Sequence, residues 1–79
     1  MRVDKYLKNS RLIKRRTMAK EACEQGRVYI NGKVAKPGDE VKVEDIIEIR
    51  LGTGSVKVKV LSTKDNVPKN QAQELYKNL

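Results

Sequence analysis

Gly26 and the pair Asn31-Gly32 constrain this chain most, because between them they separate two incompatible periodicities. Before Gly26, apolar residues recur at helical spacing; after it, Arg27-Val28-Tyr29-Ile30 alternates with period two. A glycine just past a helix adopts positive φ at little cost and stops the helix. Asn-Gly between two alternating runs is the sequence of a type I′ hairpin turn. Residues on either side of Gly26 are therefore expected to form a short helix and a tight hairpin, which predicts an α+β fold.

Around this punctuation the other elements fall into order. Val3, Tyr6 and Leu7 make one apolar stripe over Arg2–Asn9, a first short helix with Asp4 in its first turn, where a carboxylate suits the helix dipole. Lys5 and Lys8 share its wet face, and Asn9-Ser10 ends it. In the second helix Thr17 is the expected N-cap. Met18, Ala19, Ala22 and Cys23 form its buried face, and Lys20 and Glu24 are spaced to pair. Cys23 on that stripe reads as a small core residue. Beyond the hairpin, Pro37-Gly38-Asp39 is a turn and Val41 and Val43 suggest a brief extended piece. Ile46–Leu51 points Ile47, Ile49 and Leu51 inward, 52–55 is a loop, and Val56–Val60 alternates as a strand. Lys57 and Lys59 on its wet face read as solubilising charges or edge protection. Residues 65–69 form a linker, and Ala72, Leu75, Tyr76 and Leu79 make the stripe of a short C-terminal helix. The expected fold is two short N-terminal helices packed on a small, mainly antiparallel, curved sheet, with that helix at the end. The domain reading is 1–64 for the main unit and 65–79 for the linker and helix.

Charge is segregated along the chain. Residues 1–36 hold eleven Lys and Arg against three carboxylates, whereas 37–79 hold seven of each sign, so the first half carries the whole +8. Its centre is Asn9–Thr17, with Arg11, Lys14, Arg15 and Arg16 uninterrupted by a carboxylate and Lys8 on the flank. Leu12 and Ile13 are apolar anchors for this connection, so its cations are expected to project from a pinned backbone. Several cations at fixed spacing suit phosphates, and arginine adds bidentate forks. Tyr29 either stacks on a base or covers the sheet edge. Arg2, Lys5, Lys8, Arg11, Lys14, Arg15, Arg16, Lys20, Arg27, Tyr29, Asn31 and Lys33 are the candidate RNA-binding residues. Asp4, Thr17, Gly26 and Gly32 are expected to support them, Asp4 as a helix-start charge or as the partner that orients Arg2 or another basic side chain.

Other chemistry is thinly represented. The chain has no histidine and one cysteine, which excludes the usual Cys/His zinc sites, a histidine-based triad and an intrachain disulfide. The carboxylates of 37–79 lack paired spacing, and no glycine loop for phosphate is present. The expectation is a protein without catalysis, metal or cofactor. No apolar run reaches membrane-spanning length, and Met1-Arg2 leads straight into a helix rather than a signal peptide, so a cytoplasmic protein without membrane contact is expected. DNA binding is less favoured, because no recognition helix lined with base readers and no dimer seam is apparent.

The segments R-V-D-K-Y-L (2–7), S-R-L-I-K-R-R-T-M-A (10–19) and E-Q-G-R-V-Y-I-N-G-K (24–33) together resemble the S-four (alpha-L) RNA-binding domain, over roughly residues 1–50. Within that family the chain is similar to the stand-alone heat-shock-protein-fifteen-like group, closest to bacterial ribosome-associated quality-control factors of the RqcP type. The resemblance implies RNA contacts by Arg2, Arg11, Lys14, Arg15 and Arg16. It implies large-subunit rRNA and P-site peptidyl-tRNA as ligands and an RqcH-like tailing factor as partner, with the protein itself a monomer in solution. The alternative it leaves is another rRNA-binding assembly or stress factor of the heat-shock type. That type carries a longer basic C-terminal extension than this chain, whose second half is neutral.

Overall fold

The computed structural model describes residues 1–65 and 67–79. Helices α1 (Val3–Asn9) and α2 (Arg16–Glu24) precede strands β1 (Val28–Ile30), β2 (Lys33–Val34), β3 (Ile46–Leu51) and β4 (Gly54–Val60). A 3-10 helix (Lys69–Leu75) then leads into β5 (Tyr76–Asn78). The described strands form one antiparallel sheet in the order β2-β1-β3-β4-β5.

The register makes one face of the sheet apolar. Val28 lies opposite Ile49, Ile30 opposite Ile47, and Ile47 opposite Val58. Val3, Tyr6, Leu7, Ala19 and Cys23 of the two helices join these residues in a single core. Each fully buried aliphatic side chain there contributes about 1.5–3 kcal/mol. Tyr6 is completely buried and its hydroxyl donates to the Leu75 carbonyl, which ties the C-terminal segment to α1. Burial pushes the Tyr6 hydroxyl above its ordinary pKa and the Cys23 thiol up to about 11, in keeping with Cys23 as a core residue.

The punctuation is as the residues suggest. Gly26 follows α2 with φ 74°; its amide donates to the Cys23 carbonyl and that of Arg27 to Ala22, a Schellman stop. Asn31 and Gly32 both have positive φ, at 52° and 84°, as a I′ turn requires. Pro37-Gly38 turns the chain, with the Asp39 amide donating to the Lys36 carbonyl.

Several elements differ from the expectation. Helix α2 begins at Arg16, its N-cap is the extended Arg15, and no side chain caps it; Thr17 lies inside the first turn, exposed. This start sets Arg16 and Lys20 four residues apart, on the side facing Asp4. Met18 is 52% exposed, because Ala19 and Cys23 define the buried stripe and Met18 falls beside it. Among the described residues Lys20 and Glu24 form no ion pair. Leu51 is 56% exposed at the hairpin end, beyond the cover of the helices. Only Val41 of the Val41/Val43 pair is buried, and 43–44 is a turn rather than a strand. The β3–β4 connection is tighter than the 52–55 loop, since Leu51 already pairs with Gly54.

The largest difference is at the C terminus. Ala72 and Leu75 are buried, but they sit on a 3-10 helix, whose three-residue period suits their spacing. Tyr76 is already in β5, and Leu79 beyond that strand is exposed. A short isolated α-helix is marginal, whereas β4 offers an unpaired edge that β5 satisfies. Lys57 and Lys59 therefore lie on an internal strand and do not protect an edge. The linker reading of 65–69 includes Asn66, which lies outside the described residues.

Candidate nucleic-acid interface

The centre of the basic region is a buried carboxylate with two arginines on it. Asp4 is only 2% exposed. Arg2 Nη2 donates to Asp4 Oδ2 at 2.9 Å and Arg2 Nε to Oδ1 at 3.2 Å, a bidentate fork. Arg16 Nη2 lies 3.6 Å from Oδ1, and the Lys5 amide donates to that oxygen at 2.7 Å. Both guanidinium side chains remain about half exposed. One carboxylate thus fixes two cations without neutralising them both. With Thr17 and Lys20 these residues line a depression of about 290 Å³.

Residues distant in sequence hold this cluster in place. The Val41 amide donates to the Met1 carbonyl, the Val3 amide to Asp39 at 2.8 Å and the Asp4 amide to Pro37 at 3.3 Å. Two free first-turn amides of α1, those of Val3 and Asp4, are thereby satisfied by the 37–39 turn, and that of Lys5 by the Asp4 carboxylate, with no cap bond from the side chain of Arg2. Arg2 itself bridges to Glu40 through the main chain. Gly38 lies beneath Arg2, its would-be Cβ 4.0 Å from the guanidinium carbon.

The corner between the helices is rigid for local reasons. Ser10 is buried, and its hydroxyl donates to the Leu7 carbonyl at 3.2 Å. Arg11 is the residue that turns the chain out of α1, with φ 63° and its amide on the Lys8 carbonyl at 3.1 Å. This is the position glycine fills at the end of α2. A non-glycine residue there is strained by roughly 1–2 kcal/mol. Leu12 and Ile13 pack on the core, and Lys8, Arg11, Lys14 and Arg15 are all exposed around them.

The other candidates have more varied surroundings. Lys5 is engaged by Asp65 at 2.9 Å. The hydrogen bond from Lys5, helped by Asn9, lowers the Asp65 pKa. Asn31 uses its side chain on the fold: Oδ1 accepts from the Ile46 amide at 2.9 Å, and Nδ2 donates to Asp45 at 3.1 Å. Lys33 and Arg27 are exposed. Arg27 lines a groove of about 300 Å³ with Leu12, Ile13 and Met18, so the start of the hairpin meets the corner there. Tyr29 carries the Arg50 guanidinium 4.3 Å from its ring centroid. Arg50 has no local signal; its placement needs the β1–β3 register.

Residues 1–47 match the model of the S4 domain family. A relative from Halalkalibacterium halodurans called RQC P-site tRNA stabilizing factor is 55% identical over 76 residues, which cover 96% of this chain and 86% of that protein. Its namesake in Bacillus subtilis is 50% identical, with 96% and 88% covered. Among solved structures, a trimeric structure of Vibrio cholerae heat shock protein 15 aligns with a TM-score of 0.90 at 31% identity, covering 100% of this chain and 81% of that one.

Proposed function

This chain belongs to the S4 domain family, and on that premise we propose that it is a non-catalytic RNA-binding factor of the large ribosomal subunit. It binds rRNA and steadies P-site peptidyl-tRNA during ribosome-associated quality control, in step with an RqcH-like factor that extends stalled chains with C-terminal alanine. It works as a cytoplasmic monomer that engages the ribosome.

The observation that carries this reading is the Arg2–Asp4–Arg16 arrangement. A buried carboxylate that orients two half-exposed arginines leaves donors aimed at an external anion. Arg11, Lys14 and Arg15 extend the same cationic surface along a pinned corner. The relatives named as P-site tRNA stabilizing factors support peptidyl-tRNA as the ligand. In this assignment Arg2, Arg11, Lys14, Arg15 and Arg16 contact phosphates, with Lys8, Lys20, Arg27, Tyr29 and Lys33 around them. Asn31 and Gly32 hold the hairpin, and Gly26 holds the end of α2.

Gradient sedimentation of lysate tests the reading. The protein is expected in large-subunit fractions, enriched after nascent-chain stalling, and Arg16→Ala is expected to leave those fractions with an unchanged circular dichroism spectrum. Absence from the fractions even after stalling refutes the ribosomal role. Subunit binding indifferent to stalling points instead to an assembly or stress factor of the heat-shock type. An unfolded Arg16→Ala refutes the assignment of Arg16 as a contact residue.

A further inference from the structure

Two carboxylates of the neutral second half fold back onto the N-terminal segment. Glu40 takes the terminal amine at 3.0 Å, and Asp65 takes the Lys5 ammonium at 2.9 Å. Asn9 Nδ2 donates at 3.4 Å to the same Asp65 oxygen, Oδ1, that holds Lys5. Lys5 and Asn9 are four residues apart on α1 and so project from one side of it. An ammonium and an amide thus converge on a single anionic oxygen, as lysine and asparagine side chains do on a phosphate.

The segment that carries Asp65 is anchored on both sides. Before it, the Leu61 and Ser62 amides donate to the Leu75 carbonyl at 2.8 and 3.3 Å, and the Tyr6 hydroxyl of α1 donates to that same carbonyl. The Lys64 amide donates to the Ser62 hydroxyl at 3.3 Å, and beyond Asp65 the side chain of Val67 packs against the core. Asp65 is therefore presented to α1 by the fold. It differs from Asp4 in kind. Asp4 is buried beneath its two arginines and leaves both of them half exposed. Asp65 is itself 51% exposed and takes the place that a ligand of Lys5 needs. An exposed pair of this sort is weak, so a better anion displaces it. Lys5 adjoins the basic corner, since its own amide donates to Asp4. We propose that Lys5 and Asn9 form a phosphate subsite beside the corner, and that Asp65 occupies it in the free protein as a built-in competitor of RNA. The inference rests on the RNA-binding reading of the corner.

A double-mutant cycle tests it. The fluorescently labelled full chain is titrated with purified large ribosomal subunits carrying peptidyl-tRNA, and affinity is read by anisotropy. Asp65→Asn is expected to bind about two- to fivefold more tightly than wild type, the range an exposed ion pair commands. Tighter binding cannot come from misfolding, so the result does not depend on the stability of the variant. In a Lys5→Gln background Asp65→Asn should bring no gain, because the competitor then has nothing to cover. In the Asp65→Asn background Asn9→Ala should weaken binding by about twofold or more, the loss of one donor to a charged group. An Asp65→Asn variant no tighter than wild type overturns the proposal. An equal gain with and without Lys5 also overturns it, since Asp65 then acts only through net charge. Asn9→Ala without effect overturns the two-donor subsite. If wild type binds the subunits and Asp65→Asn brings no gain, this inference alone fails; if wild type does not bind them, the RNA-binding reading fails with it.

Discussion

Replacing Arg11 with glycine should stabilise the protein while weakening its hold on RNA. Arg11 has φ 63° at the end of α1, where glycine would sit without strain. The left-handed conformation costs an L-residue roughly 1–2 kcal/mol. Glycine returns about 0.5–1 kcal/mol of that through its freer unfolded chain. The net gain for Arg11→Gly is then about 0.5–1 kcal/mol, a rise in Tm of roughly 2–8 °C for a domain of this size. Arg11→Ala is the control, since it removes the charge and keeps the strain; its Tm should stay near wild type. Both variants should lose one phosphate contact, lowering the salt slope of RNA binding by about 0.7–0.9. Thermal melts by circular dichroism and anisotropy titrations across a salt series measure the two effects. A glycine variant no more stable than the alanine variant refutes the strain argument. A salt slope unchanged in both removes Arg11 from the interface.

Asp4→Asn separates orientation from charge. The change raises the net charge, so attraction alone predicts tighter RNA binding. Loss of the carboxylate that holds Arg2 and Arg16 predicts the reverse, at least about tenfold weaker binding and a stability loss of about 1–3 kcal/mol from bonds to a charged group. Tighter binding by anisotropy contradicts the orienting role of Asp4. The alkaline limb of stability tests the core. Cys23 is pushed up to about 11 from an ordinary 9.0, and Tyr6 is pushed upward as well, in both cases chiefly by burial. The unfolded chain therefore loses these protons first, and stability should be flat below about pH 9 and fall between pH 9 and pH 11. Urea midpoints that stay level through that window contradict the burial of both groups.

What was legible in the sequence was carried by local signals. Val3, Tyr6 and Leu7, Gly26, Asn31-Gly32 and the alternation of Val56–Val60 each announce their element within a few residues, and all appear where expected. The C-terminal stripe was ambiguous for the same reason. Ala72 and Leu75 are three apart, which suits an α-helix or a 3-10 turn, and only the open edge of β4 makes Tyr76–Asn78 a strand. The start of α2 lies two residues earlier than expected because Thr17 is a good cap in isolation, while Arg16 is held by Asp4 from another helix. The site shows the same division. Its cations were visible as a charge run, and Asp4 as a possible partner. The main-chain bonds from Pro37 and Asp39 that fix Arg2, and the Arg50 stack on Tyr29, join residues far apart in sequence. The strain at Arg11 left no trace, since no residue type marks an arginine at positive φ.

The central claim is that a preformed basic corner grips RNA through phosphates. The most direct test is the affinity of the purified chain for large ribosomal subunits carrying peptidyl-tRNA, measured across a salt series. About five phosphate contacts predict that log K falls by roughly four per decade of salt. Arg16→Ala should be shallower by a little under one. A nearly flat dependence, or an Arg16→Ala slope equal to that of wild type, would contradict the account.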